Sequence, residues 1–292
     1  MHFDSLLAAP RTIIYLPFDP IIHLGPIPIH WYGVCYAVAF VVGLSVAVRH
    51  VRARGVRVDQ AQNLAFWSII LGLISARLYY DFQSGAMHYL THPLLLLDFP
   101  QGGMAYFGAI FVVPIFILLY CRHYHINHWI MLDAAVLFAA AGQPIGRIGN
   151  IINGDILGYR SDLPWATAYT NPHTFAPQVG VAYQPAGAYE LLLALCILGI
   201  LLAIRTRFNP RAGALFISYL ALYAVSQFGI FFIRANSVTA FGLKQAQISS
   251  LVLIMVTGVL LLYWSRQSQS GTAAPPIDPD GSSPPPADTA DA

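Results

Sequence analysis

Charge is scarce in this chain. Only 10% of its 292 residues are charged, while 57% are hydrophobic, whereas an ordinary soluble domain is about one quarter charged. The formal net charge of +2 is too small to indicate a nucleic-acid-binding protein. The chain has a single lysine, Lys244, and a single glutamate, Glu190, so each of these two side chains is a candidate for a special role.

Cysteine is also scarce, and no cofactor motif is present. The three cysteines, Cys35, Cys121 and Cys196, lie far apart in apolar segments and form neither a CxxC pair nor a metal-binding spacing. We interpret them as small buried hydrophobic residues, and we expect no metal and no cofactor. The N-terminal region lacks the basic and then apolar succession of a signal peptide, so we expect none.

Long hydrophobic runs, by contrast, are abundant. A run of about 18 or more apolar residues is typical of a membrane-spanning helix, because a helix satisfies its own backbone hydrogen bonds in lipid. The sequence predicts an all-α, polytopic membrane bundle of seven transmembrane helices within residues 1–266. The seven apolar segments are 31–48, 64–82, 104–121, 129–146, 186–204, 212–233 and 245–265.

Basic residues predict how the bundle is oriented. Arginines follow the first, third, fifth and seventh segments, whereas the other connections hold few. Because basic loops remain in the cytoplasm, we expect the N-terminus outside and the C-terminus in the cytoplasm. The outer loop at about 151–185 is long enough to cover a site. Residues 267–292 are rich in proline, serine and aspartate, and we expect a disordered cytoplasmic tail.

One stretch at the end of the fourth segment concentrates polar residues. The sequence GRIGNIINGDILG, residues 146–158, places Arg147, Asn150, Asn153 and Asp155 among glycines. On a helix Arg147 and Asn150 share a face, and a guanidinium with amide donors is suited to binding phosphate. A capped helix end accounts for one polar residue, not four. We therefore predict a phospholipid head-group site, which requires an Arg147 not fully engaged by a neighbouring carboxylate.

Other ionisable residues lie inside the apolar segments or at their rim, where they are costly and often functional. Arg77, Asp133, Glu190 and Arg234 belong to this group. For Arg77, Asp133 and Arg234, a buried ion pair or a side chain reaching towards the membrane surface is an equally good interpretation.

Several motifs of this chain resemble the prolipoprotein diacylglyceryl transferase family. The stretch 146–158 resembles the family signature G-R-[LI]-G-N-[FI]-[IL]-N-G-E-x-x-G, with an aspartate in place of the glutamate. HWYGVCY, which contains Tyr32, SARLYY, which contains Arg77, GGMAYFGA and AYE resemble further family motifs in the same order. The resemblance covers about residues 17–265 and includes the seven-helix topology.

The resemblance implies an enzyme of the bacterial inner (plasma) membrane. The family transfers the diacylglyceryl group of phosphatidylglycerol to the thiol of the lipobox cysteine in a preprolipoprotein, and glycerol phosphate leaves. It implies that Arg147, Tyr32 and Asn150 are catalytic. The resemblance and the polar stretch together predict substrate contacts from Arg147, Asn150, Asn153, Gly154, Asp155, Gly158, Arg77, Tyr189, Glu190 and Arg234.

Three family positions are altered, which leaves alternatives open. Phe107 stands at a family histidine, and Gln227 and Phe231 stand at the arginine and glutamate of an RFxxE motif. Since phenylalanine cannot exchange a proton, the alternative is a catalytically impaired relative that binds phospholipid or lipoprotein precursor. A transporter or channel is a third alternative. Histidines on the outer side that could supply a base are His23, His30, His88, His92 and His173.

Overall fold

The computed structural model describes residues 13–25, 27–91 and 106–270, and it describes side chains over 13–25, 28–78 and 112–266. The predictions for the side chains of His88, His92 and Phe107, and for the tail beyond residue 270, fall outside these described parts.

Seven α-helices form within the described residues, one for each predicted apolar segment. They are α1 (Trp31–Ala53), α2 (Val58–Thr91), α3 (Tyr106–His123), α4 (His128–Asn153), α5 (Ala186–Phe208), α6 (Ala214–Ile230) and α7 (Gln245–Ser270). Five helices are long and apolar enough to cross a membrane: α1, α2, α4, α5 and α7. Helix α6 and the part of α3 whose side chains are described, Val112–His123, are shorter apolar helices. The prediction of an all-α polytopic membrane protein is confirmed.

Helix α4 is the centre of the bundle. On one side, Met131 and Ala134 pack against buried residues of α1, α2 and α3. On another side, Leu137 packs against buried residues of α5 and α6. Helix α7 instead leaves large apolar side chains such as Met255 and Val259 exposed, as expected where lipid takes the place of water.

Asp133 joins α4 to the beginning of α6. Its side chain is fully buried, and its two carboxylate oxygens accept hydrogen bonds from the backbone N–H groups of Gly213 and Phe216, each at 2.8 Å. The first N–H groups of a helix have no partner within the helix, and a carboxylate there also interacts favourably with the helix dipole. Asp133 therefore has a structural role, because it accepts the free N–H groups at the N-terminus of α6.

Short strands add to the helical bundle. Strand β1 (Ile14–Leu16) pairs in parallel with β4 (Thr167–Tyr169), which pairs antiparallel with β5 (Ala182–Tyr183). Two antiparallel pairs join β2 (Ile21–Leu24) with β3 (Ile27–His30), directly before α1, and β6 (Val238–Ala240) with β7 (Leu243–Lys244), directly before α7. The sequence analysis did not predict these strands.

The predicted long loop is a folded structure. Residues 154–185, which we call the cap, contain β4 and β5 and a small core of Leu157, Tyr169 and Tyr183. The Tyr169 hydroxyl donates a 2.6 Å hydrogen bond to the Ile151 carbonyl oxygen in α4. Burial, followed by the nearby charge of Asp155, raises the pKa of Tyr169 to about 12. Tyr169 therefore stays neutral and holds the cap against the end of α4, which we call the signature end of the bundle.

Candidate functional site

The signature stretch forms the last turns of α4 and the turn that follows them. The N–H of Gly154 donates to the Asn150 carbonyl oxygen at 2.8 Å, and Gly154 has a φ of 75°. This left-handed conformation favours glycine at the end of a helix. The Asn150 side chain is buried, and its amide donates to both carboxylate oxygens of Asp155 at 3.1 and 3.2 Å. Asp155 therefore fixes the orientation of the Asn150 amide.

Gly158 brings the segment that follows α6 next to the signature. Its N–H donates to the Gln184 carbonyl oxygen at 2.9 Å, and it forms an isolated β-bridge with Arg234. A Cβ atom on Gly158 would lie 2.8 Å from both Gln184 Cβ and the Ile233 carbonyl oxygen. Glycine, which has no Cβ, permits this close approach of three backbone segments.

Glu190 is the point where three of the predicted site residues meet. Its carboxylate oxygen Oε2 lies 2.6 Å from Nη2 of Arg147, and Oε1 accepts a hydrogen bond from Nη1 of Arg234 at 3.1 Å. The Arg147 contact is a close ion pair that lacks the alignment of a hydrogen bond. We call these residues, which come from α4, α5 and the segment after α6, the Arg–Glu–Arg cluster.

The cluster retains one positive charge, because two guanidinium groups share one carboxylate. The Glu190 side chain is 1% exposed, whereas those of Arg147 and Arg234 are 19% and 17% exposed. A neighbouring carboxylate that fully engaged Arg147 would contradict the predicted site. Glu190 contacts one terminal amino group of Arg147 and is shared with Arg234, so the engagement is partial. Arg147 and Arg234, both in the predicted substrate-binding set, thus share one carboxylate, and their contact with substrate stays a prediction.

Lys244 holds the turn that carries Arg234. Its buried Nζ donates to the carbonyl oxygens of Phe231, at 2.6 Å, and of Arg234. The Arg234 guanidinium lies 4.7 Å from the centre of the Phe231 ring, a distance at which a cation and an aromatic face attract each other. Gln227 is half-buried one turn earlier, and its carbonyl oxygen accepts from the Phe231 N–H. Phe231 therefore supports Arg234 where the family motif has a glutamate.

The other predicted site residues lie around the same end of α4. The Tyr32 hydroxyl donates to Tyr36 at 2.9 Å, and the Tyr32 side chain neighbours Asn150 and Asp155. Tyr189 precedes Glu190, and its hydroxyl accepts from Trp165 Nε1 of the cap at 2.6 Å.

Two further residues of the predicted set are less directly connected to the cluster. The Asn153 side chain is buried, and its carbonyl oxygen accepts from the N–H of Phe175. Arg77 is buried in α2, and its contact with substrate stays a prediction.

Sequence reasoning missed two structural features because they depend on distant parts of the chain. Lys244 was noted only as the single lysine, and its carbonyl partners are not visible in a local pattern. His23 and His173 were considered separately as possible bases, and His30 lies exposed at the end of β3. The structure brings His23 and His173 together with Asp19, which the sequence analysis did not consider.

Comparison with known proteins identifies the family of this chain. The family model described as prolipoprotein diacylglyceryl transferase matches residues 20–264. A phosphatidylglycerol–prolipoprotein diacylglyceryl transferase of Dehalococcoides mccartyi is 33% identical over 86% of this chain and 95% of its own. A protein of the same name from Lactiplantibacillus plantarum is 31% identical over 84% of this chain and 88% of its own. Another from Synechococcus elongatus is 32% identical over 95% of this chain and 97% of its own. The chain therefore belongs to the prolipoprotein diacylglyceryl transferase family.

Proposed function

We propose that this protein transfers the diacylglyceryl group of phosphatidylglycerol to the lipobox cysteine of preprolipoproteins in the plasma membrane of a bacterium. Family membership and the names of its relatives support the reaction. The observation that carries the proposal is the Arg–Glu–Arg cluster, which places a net positive charge at the signature end of an apolar bundle. The basic residues at the C-terminal ends of the odd-numbered helices and just after them support an outward-facing position for the signature end.

The reaction develops negative charge on a phosphate. A bond forms between the cysteine sulfur and a glycerol carbon while the bond from that carbon to the phosphate oxygen breaks. The electron pair leaves with the oxygen, so a phosphodiester becomes a phosphate monoester, and the thiol proton passes to solvent or to the released phosphate. Prearranged positive charge lowers the barrier of such a step because it is aimed at the charge that develops.

The cluster is suited to this role because Glu190 orients both guanidinium groups and neutralises only one of their two charges. Each arginine contacts Glu190 through one amino group, so its other N–H donors can bind phosphate oxygens. Nε of Arg234 is buried and has no acceptor among the described residues. Since buried N–H groups are nearly always hydrogen-bonded, a ligand oxygen or water at this position would complete the site.

Tyr32 and Asn150 support the same location for the head group. Both neighbour Asp155 at the end of α4, and a hydroxyl and an amide can bond the glycerol part of phosphatidylglycerol. The cap supports a shielded site, because Trp165 donates to Tyr189, the residue before Glu190. The apolar helix surfaces allow lipid to approach from the bilayer.

Complementation tests the proposal. The wild-type gene is expressed in bacterial cells depleted of their own transferase, and the N-terminal peptide of a lipoprotein is analysed by mass spectrometry. We expect a diacylglyceryl-modified cysteine with the wild type and a loss of about 100-fold or more in rate with Arg147→Ala, the cost typical of removing one group that stabilises a developing negative charge. Arg160→Ala is the matched control, because Arg160 is exposed in the cap and bonds Gln178.

A wild type that gives no modified cysteine, or an Arg147→Ala variant as active as Arg160→Ala, would contradict the proposal. The altered positions Phe107, Gln227 and Phe231 favour one second function, a relative that binds phospholipid or precursor without turnover. It predicts that phosphatidylglycerol co-purifies with the wild type but not with Arg147→Ala. It further predicts modified cysteine only after Phe107→His is combined with Gln227→Arg and Phe231→Glu.

A further inference from the structure

Three side chains that could bind a metal ion meet at the signature end, where the N-terminal hairpin touches the cap. Asp19 lies just before β2, His23 lies in β2, and His173 lies in the turn after β4. Oδ2 of Asp19 is 3.1 Å from Nδ1 of His173 and 3.6 Å from Nε2 of His23. The two imidazole rings stand edge to face with centres 6.2 Å apart.

We propose that Asp19, His23 and His173 bind one divalent transition-metal ion of the zinc type. Two imidazoles and one carboxylate are a donor set that such ions prefer, with solvent in the fourth position. In a tetrahedral site with bonds of about 2.0–2.1 Å the ligand atoms lie about 3.3 Å apart. The distances from Asp19 lie on either side of that value. The two histidine nitrogens are at most 4.8 Å apart, so rotation of one exposed ring completes the geometry.

The ligands are held in place by bonds that do not use their metal-binding atoms. Oδ1 of Asp19 accepts from the Ile21 N–H at 2.9 Å, which leaves Oδ2 directed towards the histidines. The N–H of His173 donates to Oδ1 of Asn171 at 2.8 Å, within a turn of the cap. Two independent turns therefore hold Asp19 and His173, and rotation of one histidine ring is the adjustment that remains.

A bound ion would connect the beginning of α1 to the end of α4. The hairpin that carries His23 leads into α1, and the Trp31 N–H donates to the Pro20 carbonyl oxygen beside Asp19. The turn that carries His173 continues to Phe175, whose N–H donates to the carbonyl oxygen of Asn153, the last residue of α4. Metal binding would therefore stabilise the packing of the cap on the end of α4. In the described contacts, the three metal ligands do not contact the Arg–Glu–Arg cluster.

Metal binding to the purified full-length protein tests the inference. The protein is prepared in detergent with a tag that contains no histidine, treated with a chelator, and titrated with Zn²⁺ by calorimetry and with Co²⁺ by visible absorption. We expect one ion per chain, a tetrahedral Co²⁺ spectrum, and a thermal midpoint raised by Zn²⁺. Asp19→Asn keeps an oxygen that can accept from the Ile21 N–H. Asp19→Asn and His173→Ala should each weaken Zn²⁺ binding at least about 10–100-fold, which is the loss typical even of a residue that only hydrogen-bonds a metal ligand.

His123→Ala is the matched control, because His123 is exposed at the opposite end of the bundle. Circular dichroism establishes that each variant is folded. Equal Zn²⁺ binding by wild type, Asp19→Asn and His173→Ala, or no Zn²⁺ binding by the wild type, would overturn the inference. The binding assay needs no lipid substrate, so its outcome is independent of whether the protein is an active transferase.

Discussion

Oε1 of Glu190 accepts a hydrogen bond from Nη1 of Arg234 across 3.1 Å, although 44 residues separate the two in the chain. The other oxygen of the same carboxylate meets Arg147 at 2.6 Å. One buried carboxylate is thus shared by two partly exposed guanidinium groups. Glu190 orients the cluster, and the arginines supply the charge that remains.

Replacing Glu190 by glutamine should destabilise the protein. The variant leaves two like charges close together without their shared counter-charge, and removing one partner of a buried ion pair costs about 3–5 kcal/mol. We expect the lower part of that range because both arginines are partly exposed. Thermal unfolding in detergent measures the effect, and Glu190→Asp, which keeps the charge, should lose less. Identical midpoints for Glu190→Gln and wild type would contradict the role given to this carboxylate.

Replacing Lys244 by methionine should displace Arg234. The methionine cannot donate to the carbonyl oxygens of Phe231 and Arg234, and each lost bond from a charged donor contributes about 1.5–3 kcal/mol. We expect lower stability and lower transfer activity. If Lys244 acts through Arg234, Lys244→Met should lower activity much less in an Arg234→Ala background than in the wild type. Equal losses in both backgrounds would mean that Lys244 acts elsewhere.

Replacing Gly158 by alanine should separate the signature from the segment that carries Arg234. The new methyl group would meet Gln184 Cβ and the Ile233 carbonyl oxygen at 2.8 Å, and overpacking of this kind costs about 1–3 kcal/mol. Gly199→Ala is the control, because Gly199 lies in α5 and an added Cβ there meets no atom within 4 Å. Both unfolding midpoint and lipid transfer should fall in Gly158→Ala alone. A Gly158→Ala variant with wild-type values would show that this contact relaxes without cost.

Replacing Asp133 by alanine should lower stability without changing the chemistry of the site. The variant leaves the N–H groups of Gly213 and Phe216 without acceptors, and each unsatisfied buried group costs about 1–3 kcal/mol. Asp133→Asn should lose less, because the amide oxygen can still accept one bond. We expect a lower unfolding midpoint in detergent, with normal transfer per folded molecule at low temperature. Normal stability in Asp133→Ala would refute the capping role.

The helices could be predicted because the solvent of the bundle is lipid. Each span needs a long apolar run, and α5 begins at Ala186, the first residue of its predicted segment. The end of α4 was placed too early, because the predicted apolar segment stops at 146 whereas the polar signature continues the helix to Asn153. Other helix ends also extend beyond the predicted segments, because polar residues such as those of 49–53 continue α1.

The partners within the site could not be predicted, because they come from separate helices. No local pattern shows that Glu190 reaches both Arg147 and Arg234, or that Asp133 caps α6. The His173–Asp19 contact joins residues 154 positions apart. Sequence alone identified which polar residues are costly in a membrane, and the packing of the helices decides which of them meet.

The pairing of β1 with β4 constrains whether the chain passes through the bilayer an even or an odd number of times between them. Hydrogen-bonded strands must lie on the same face, so the number of passages between them, through α1 to α4, is even. If α1, α2 and α4, which are each long enough to span, cross the bilayer, α3 is the fourth passage. The bridge between Gly158 and Arg234 likewise makes α6 the return of α5. With α7 the described helices would make an odd number of passages, so we expect labels at residues 13 and 266 to be accessible from opposite faces of a sealed vesicle.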